Sequence, residues 1–395
     1  MHPTIHRIAV VIPKYGLIGG AEQFVAELTE RVALNRHYEM HVFANKWTVH
    51  SEHVTFHKVP AITFPKFLTT PSFAWFAGRM IARVGFDLVH AHDRIFEADI
   101  FTMHGIPHRL WAQEIRKKRM NLYDYATDWV ERALVGNKKC RLFLAVSSLT
   151  KEKFLQVYTT TNPESVQIMH PGVELERFQK LDRPSCRRQI RESYGIGPDE
   201  IVFLFVSMNF EIKGLDKLMA ALAIVKTGNP GQKFTLLVVG KGDVRRYAEL
   251  AGKLGLADRV VFAGIMDKEK LDKTYLASDI FSILSKFDTF GMVVLEAMAA
   301  SLPVIVSDRV GAKDMLTEGV NGCIIDEEDD PVKISEKISP FLDRKKSFLM
   351  GQEAYRKARD CTWEQAARRL ESIYEEMVAG KLRPHGGQDK FAGEM

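Results

Sequence analysis

What the chain has little of already excludes several functions. Its four cysteines, Cys140, Cys186, Cys323 and Cys361, are scattered, with no CxxC pair and no histidine at ligand spacing. That argues against a disulfide framework or a zinc site and fits a reducing cytoplasm. No apolar run reaches eighteen residues, so no bilayer-spanning segment is expected, and RIAVVI near the start is too short for a signal-peptide core. No GxGxxG follows any strand-like run, which removes a dinucleotide-dependent oxidoreductase. There is no convincing D-x-D metal motif and no short-period repeat. No nucleic-acid motif accompanies the basic residues, so nucleic acid is not an expected partner.

What is present describes two α/β domains. A length of 395 residues exceeds what one core usually fills, and 46% hydrophobic with 27% charged residues is ordinary for a globular chain. Short apolar runs alternate with helical patterns: RIAVVI (7–12), EMHVFA (39–44), DLVHA (87–91) and LFLAVS (142–147), then IVFLFVS (201–207), FTLLVVG (234–240), RVVFAG (259–264), IFSIL (280–284) and PVIVS (303–307). Strands without polar alternation, each followed by a helix, predict parallel sheets covered on both faces. The expected architecture is two Rossmann-like, doubly wound domains, over residues 1–178 and 179–362. A C-terminal helix, free to cross back to the first domain, is expected over 363–380, and a disordered tail over 381–395. The first 180 residues carry 23 Lys and Arg against 17 Asp and Glu, which suggests an anionic partner for that half.

Ligands of open parallel sheets bind beyond the carboxyl ends of the strands, so the loops there hold the candidate chemistry. In SKFDTFGMVVLEAMAASLPVIVSD (285–308), Gly291 opens a helix after a strand, with Asp288 in the loop and Glu296 on the helix. Free amides and a positive dipole end suit a diphosphate, while the two carboxylates can accept hydrogen bonds from hydroxyls. In SMNFEIKGLDKLMAALAIV (207–225), Lys213 and Gly214 sit between a strand and a helix. Gly19 and Gly20 lie in YGLIGGAE after the first strand. ADIFTMHGIPHRLW (98–111) carries His104 and His108. Alone, each has a bland alternative: a plain crossover, a helix-capping lysine, a flexible turn, a half-buried histidine.

Together these segments resemble the retaining family-4 glycosyltransferases (glycosyl transferases group 1), whose usual motif is E-G-F-G-x-x-x-x-E-A-M-A. Asp288 stands for the first Glu, and Phe290, Gly291, Glu296, Ala297 and Met298 match. The resemblance implies a GT-B fold, two Rossmann-like domains facing a central cleft. Asp288 with Phe290, Gly291 and Met292 would hold the donor sugar and phosphates, Glu296 the ribose, and Lys213 the leaving diphosphate. Gly19 and Gly20 would let backbone approach those phosphates, and His104 would lie near donor sugar and acceptor. The arginine that commonly accompanies the lysine has no match among Met208, Glu211 and Ile212; Lys241 or Arg245 could substitute. The closest look is to lipopolysaccharide-core glucosyltransferases of bacteria. This implies retaining, metal-independent transfer of a hexose from a UDP-sugar to a saccharide or lipid-linked acceptor, with no cofactor. A nucleotide-sugar epimerase and a non-catalytic sugar-nucleotide-binding scaffold remain as alternatives.

Residues 62–86 interleave Phe64, Phe67, Phe73, Trp75 and Phe76 with Lys66, Arg79 and Arg83, and RLWAQEIRKKR adds Arg109, Arg116, Lys117, Lys118 and Arg119. Aromatic and basic residues together suit an anionic headgroup region, so a peripheral place on the inner face of the cytoplasmic membrane is expected. The alternative is core aromatics beside a solvated basic helix face.

Overall fold

The computed structural model describes residues 5–17, 19–326 and 328–380; the tail over 381–395 lies outside them. The chain divides into two compact units.

The first unit is built on a seven-stranded parallel sheet: β1 (His6–Val11), β2 (Tyr38–Ala44), β3 (Val54–Lys58), β4 (Leu88–Ala91), β5 (Ile100–Met103), β6 (Leu142–Ala145) and β7 (Val166–Ile168). Their spatial order is β3-β2-β1-β4-β5-β6-β7, so the winding reverses between β1 and β4. Helices α1 (Gly20–Ala33), α2 (Thr69–Val84) and α3 (Leu122–Gly136) belong to this unit. Phe73, Ala74, Ala77 and Ile81 of α2 and Val130 and Leu134 of α3 share one core with Phe101 and Phe143 of the sheet.

The second unit has six parallel strands: β8 (Ile201–Ser207), β9 (Phe234–Gly240), β10 (Val260–Gly264), β11 (Ile280–Ile283), β12 (Val304–Ser307) and β13 (Gly322–Ile325). They stand in the order β10-β9-β8-β11-β12-β13, with the reversal between β8 and β11. All seven residues of β8 are buried, as a strand covered by helices on both faces requires. Its helices include α4 (Arg183–Ser193), α5 (Leu215–Gly228), α6 (Lys268–Ala277), α7 (Met292–Ala299) and α8 (Arg344–Arg359).

The unit boundary falls after His170, not at 178 as the sequence suggested. Gly172 packs so closely on residues 362–363 that a Cβ there would lie 2.3 Å from the Trp363 nitrogen, and Val173 bridges Thr362. Phe178 sets its ring against Tyr275. Residues 171–178 therefore fold with the second unit. The C-terminal helix Trp363–Val378 joins the first unit from Ala366 onward. Tyr374 is buried against Tyr38 and shares a 2.7 Å hydrogen bond with His90 Nδ1, and Asn35 donates to Glu371 at 2.9 Å.

Candidate active site

In the second unit, the two strands flanking the winding reversal deliver the two ends of one polar cluster. The loop after β8 carries Lys213 and the loop after β11 carries Asp288, and the Lys213 ammonium donates directly to the Asp288 carboxylate. Backbone fixes both sides. Gly214 takes φ 71°, and a Cβ there would sit 1.9 Å from the Leu284 carbonyl oxygen, so only glycine lets the loops approach. The Lys286 amide then donates to Ile212 at 2.8 Å. Asp288 is held by its own backbone, donating to Arg309 at 2.9 Å and accepting from Gly311 at 3.0 Å.

Gly291 caps α7 in the left-handed region, at φ 91°, with no side-chain cap. The Val294 amide turns back to the Gly291 carbonyl at 2.9 Å, while the Met292 and Val293 amides at the start of α7 have no preceding helical carbonyl to bond, which leaves a ready anion site beside Phe290. One turn on, Glu296 is pinned rather than open. Arg177 Nη1 donates to its Oε1 at 3.0 Å and the Tyr275 hydroxyl to its Oε2 at 3.0 Å. Arg177 is also paired with Asp272, its Nε lying 3.2 Å from Oδ2. Burial, and next the charge of Glu296, push the Tyr275 hydroxyl well above its usual range. Each carboxylate of the motif is thus neutralised by a cation in this structure, Asp288 by Lys213 and Glu296 by Arg177. Arg177 and Tyr275 were not singled out in the sequence. The suggested substitutes for the absent arginine do not join this cluster. Arg245 is exposed and pairs with Glu249, and Lys241 is exposed on another loop.

The first unit presents a different surface at the same end of its sheet. A cavity of about 620 Å³ is lined by Lys14, Glu22, Thr70, His92, Arg94, His104, Tyr123 and Glu131. His104 follows β5, as the sequence suggested, and its Nε2 lies 3.1 Å from His92 Nδ1. Phe24 meets the His104 ring edge-on at 4.9 Å. Behind them His90 is fully buried between the Tyr374 hydroxyl and the Thr102 hydroxyl, each at 2.7 Å. Desolvation pushes His90 and His104 down to about 3, with His104 a further cause at His90, and burial takes His92 well below its usual value. All three imidazoles are neutral at pH 7. The HAH at the end of β4 was the available signal, since alternate residues of a strand share a face. Gly19 and Gly20 are exposed at the start of α1, with Gly19 its N-cap. His108 is buried elsewhere, 3.0 Å from Asp124.

The five basic residues after His104 divide. Arg116 forks onto the buried Asp124, with Nη1 2.9 Å from Oδ1, and Arg109 pairs with Asp128 at 3.1 Å. Burial alone would raise the Asp124 carboxyl, but the Arg116 fork, the Asn121 amide and His108 hold it well below the carboxylate range. These two arginines have carboxylate partners within the fold. Lys117, Lys118 and Arg119 are exposed. The aromatics divide as well: Phe73 is core and Phe76 packs against it, while Phe64, Phe67 and Trp75 are exposed. Leu122, Tyr125 and Trp129 add an exposed stripe on α3 at helical spacing, which was not read from the sequence. Helix α3 packs against α2 and the turn Lys66–Leu68, so these groups share one region.

Among the described residues no group of three or more His, Cys, Asp or Glu is placed to hold a metal ion, and no helix is long and apolar enough to cross a membrane.

The family model for glycosyl transferases group 1 matches residues 187–358, and that for Glycosyltransferase Family 4 matches residues 18–177. The chain is 30% identical to a D-inositol 3-phosphate glycosyltransferase of Corynebacterium diphtheriae over 253 residues, 62% of this chain and 57% of that protein. It is 27% identical to an uncharacterized glycosyltransferase of Methanocaldococcus jannaschii over 80% of this chain and 84% of that one. The match spans little more than half the length of most of these curated relatives. Among solved structures, WaaG, a glycosyltransferase involved in lipopolysaccharide biosynthesis, aligns with a TM-score of 0.75 at 21% identity, covering 93% of this chain and 99% of that one. Anabaena HepE in complex with UDP and glucose aligns with a TM-score of 0.70 at 17% identity, over 94% and 100%.

Proposed function

We propose, from the premise that the chain belongs to the group 1 and family 4 glycosyltransferases of GT-B type, that it moves a hexose from a UDP-sugar to a saccharide acceptor with retention at the anomeric carbon and without a divalent metal. The observation that carries this reading is Lys213 paired with Asp288 beside the uncapped amides of α7. A diphosphate seated on those amides offers Lys213 a stronger anionic partner than Asp288. The ammonium then moves to phosphate, and the released carboxylate turns to sugar hydroxyls. Glu296 keeps lone pairs beyond those used by Arg177 and Tyr275, enough to accept from two ribose hydroxyls. With Arg177 and Tyr275 locking its rotamer, the carboxylate is in place before the nucleotide arrives.

In the reaction the bond between sugar C1 and the diphosphate oxygen breaks, and its electron pair stays on that oxygen. Lys213 and the α7 amides stabilise the charge that develops there, as a metal ion does in other transferases. The acceptor hydroxyl bonds to C1 from the face the diphosphate leaves, and its proton passes to the departing phosphate oxygen. His104 is neutral at pH 7, so it positions hydroxyls by hydrogen bonds instead of donating a proton as an acid. The 620 Å³ cavity of the first unit is the acceptor's place in this reading.

The acceptor we favour belongs to lipopolysaccharide core or another cell-surface glycan, met at the inner face of the cytoplasmic membrane. Supporting it are exposed Phe64, Phe67, Trp75, Tyr125 and Trp129 together with exposed Lys117, Lys118 and Arg119. A panel of nucleotide sugars tests the donor by thermal unfolding. A UDP-hexose should raise the transition, by about 2.7 kcal/mol at a hundred times its Kd, and Glu296→Ala should abolish most of that gain. No stabilisation by any nucleotide sugar would overturn the reading.

A further inference from the structure

The second unit also has a cavity at the opposite end of its sheet, its wall mixing charged and apolar side chains. Its volume is about 360 Å³, and its wall includes Ile201, Asp279, Ser301 and Pro303. Ile201 opens β8, Asp279 runs into β11 and Pro303 runs into β12. Lys213 and Asp288 follow the carboxyl ends of β8 and β11, so the seven residues of β8 hold the two places about 20 Å apart.

Three arginines line this cavity, Arg183, Arg187 and Arg344, against a single carboxylate, Asp279. That carboxylate is already committed. It accepts from Arg187 at 2.9 Å, from Arg191 at 2.7 Å and from the Val202 amide at 2.8 Å. Among the described residues Arg183 pairs with no carboxylate, and it donates to the Ala300 carbonyl. Burial first, and then the charge of Arg187, push its guanidinium below the usual range. Arg344 is exposed at the start of α8 and makes no hydrogen bond or ion pair with the described residues; its charge bears on Arg191. Capping accounts for part of the arrangement, since Arg183 and Arg187 reach the carbonyls that end α7 and α6. Capping does not explain Arg344, nor several guanidinium groups gathered on one saturated carboxylate. Phe341 and Phe348 add aromatic surface to the wall.

We infer that this cavity binds a phosphate or diphosphate ester of small-metabolite size, a second anion site distinct from the cluster around Lys213. Guanidinium forks match phosphate oxygens, and the volume suits a phosphorylated sugar or a nucleotide whose organic part lies against Phe348.

Titration calorimetry of the full chain with pyrophosphate, in buffer free of divalent cations, tests the site. Two classes of binding are expected. Lys213→Ala should remove one. Arg344→Gln should weaken the other by about tenfold or more and Arg344→Glu should abolish it, the first class staying intact in both. Arg344 has no partner to lose, so these variants should melt as the natural chain does, whereas Arg183→Gln also removes a helix cap. A single class of site lost entirely in Lys213→Ala, identical isotherms for the natural chain and Arg344→Glu, or no pyrophosphate binding at all would each overturn the inference.

Discussion

Twelve of the thirteen histidines lie in the first 170 residues, and none lies between residues 171 and 365. The polar groups at the carboxyl ends of the two sheets differ accordingly. In the first unit, neutral His92 shares a hydrogen bond with His104, and neutral His90, its ring against that of His92, bonds Thr102 and Tyr374. In the second, two cations are matched to carboxylates, Lys213 to Asp288 and Arg177 to Asp272 and Glu296. A neutral cluster can orient hydroxyls without attracting a counter-ion. A charged cluster can exchange one anion for another, which receiving and releasing a diphosphate requires.

The sharpest break in that comparison should come from Arg177→Ala. Its side chain is 9% exposed, and removing it strands Asp272 and Glu296, which are nearly as buried. A loss of about 3–5 kcal/mol is expected in the second unit's unfolding transition, with the first unit's unmoved. Equal loss in both units, or none, would show that the pairing is not what holds Glu296. Next in size is Lys213→Ala, which should lower kcat on the order of 100-fold, while excess EDTA leaves the natural chain active. Activity lost in EDTA and restored by Mg²⁺ would remove the proposed leaving-group role of the lysine.

The histidines give an effect with a definite sign. Unfolded, they take up protons near pH 6.5; folded, His90 and His104 resist until about 3. The unfolded state therefore binds more protons below pH 6.5, and stability falls as the pH drops from there, by up to about 1.4 kcal/mol per pH unit for each histidine. Carboxylates such as Asp124, whose folded value is depressed, lose their contribution only under more acidic conditions. Between pH 6.5 and 5 the first unit's transition should drop and the second's should hold. Finally, His104→Ala should slow transfer on the order of tenfold with UDP affinity unchanged, since it is assigned to positioning. Unaltered turnover would return His104 to a packing role.

The fold was legible because short unbroken apolar runs such as IVFLFVS, each followed by a helical pattern, suit strands covered on both sides, and the structure buries every residue of that one. The edge strands Val166–Ile168 and Gly322–Ile325 were not read, being too short to show a pattern. The loop and helix around Gly291 were legible because strand, glycine and helix start are local. Arg177 was not, because its partners stand 95 and 119 positions away in the chain. RKKR looked like a uniform basic run until folding placed Asp124 under Arg116 alone. Likewise the aromatics of residues 62–86 alternate without marking which side of α2 faces the core. Only its packing against α3 separates Phe73 from Trp75.

The central claim is that Lys213 and the first amides of α7 receive the donor's diphosphate. Titration calorimetry of UDP in EDTA measures this directly. The account predicts that the natural chain binds UDP without a metal and that Lys213→Ala weakens binding by about tenfold or more. UDP binding that needs a divalent cation, or that is equally tight in Lys213→Ala, would contradict it.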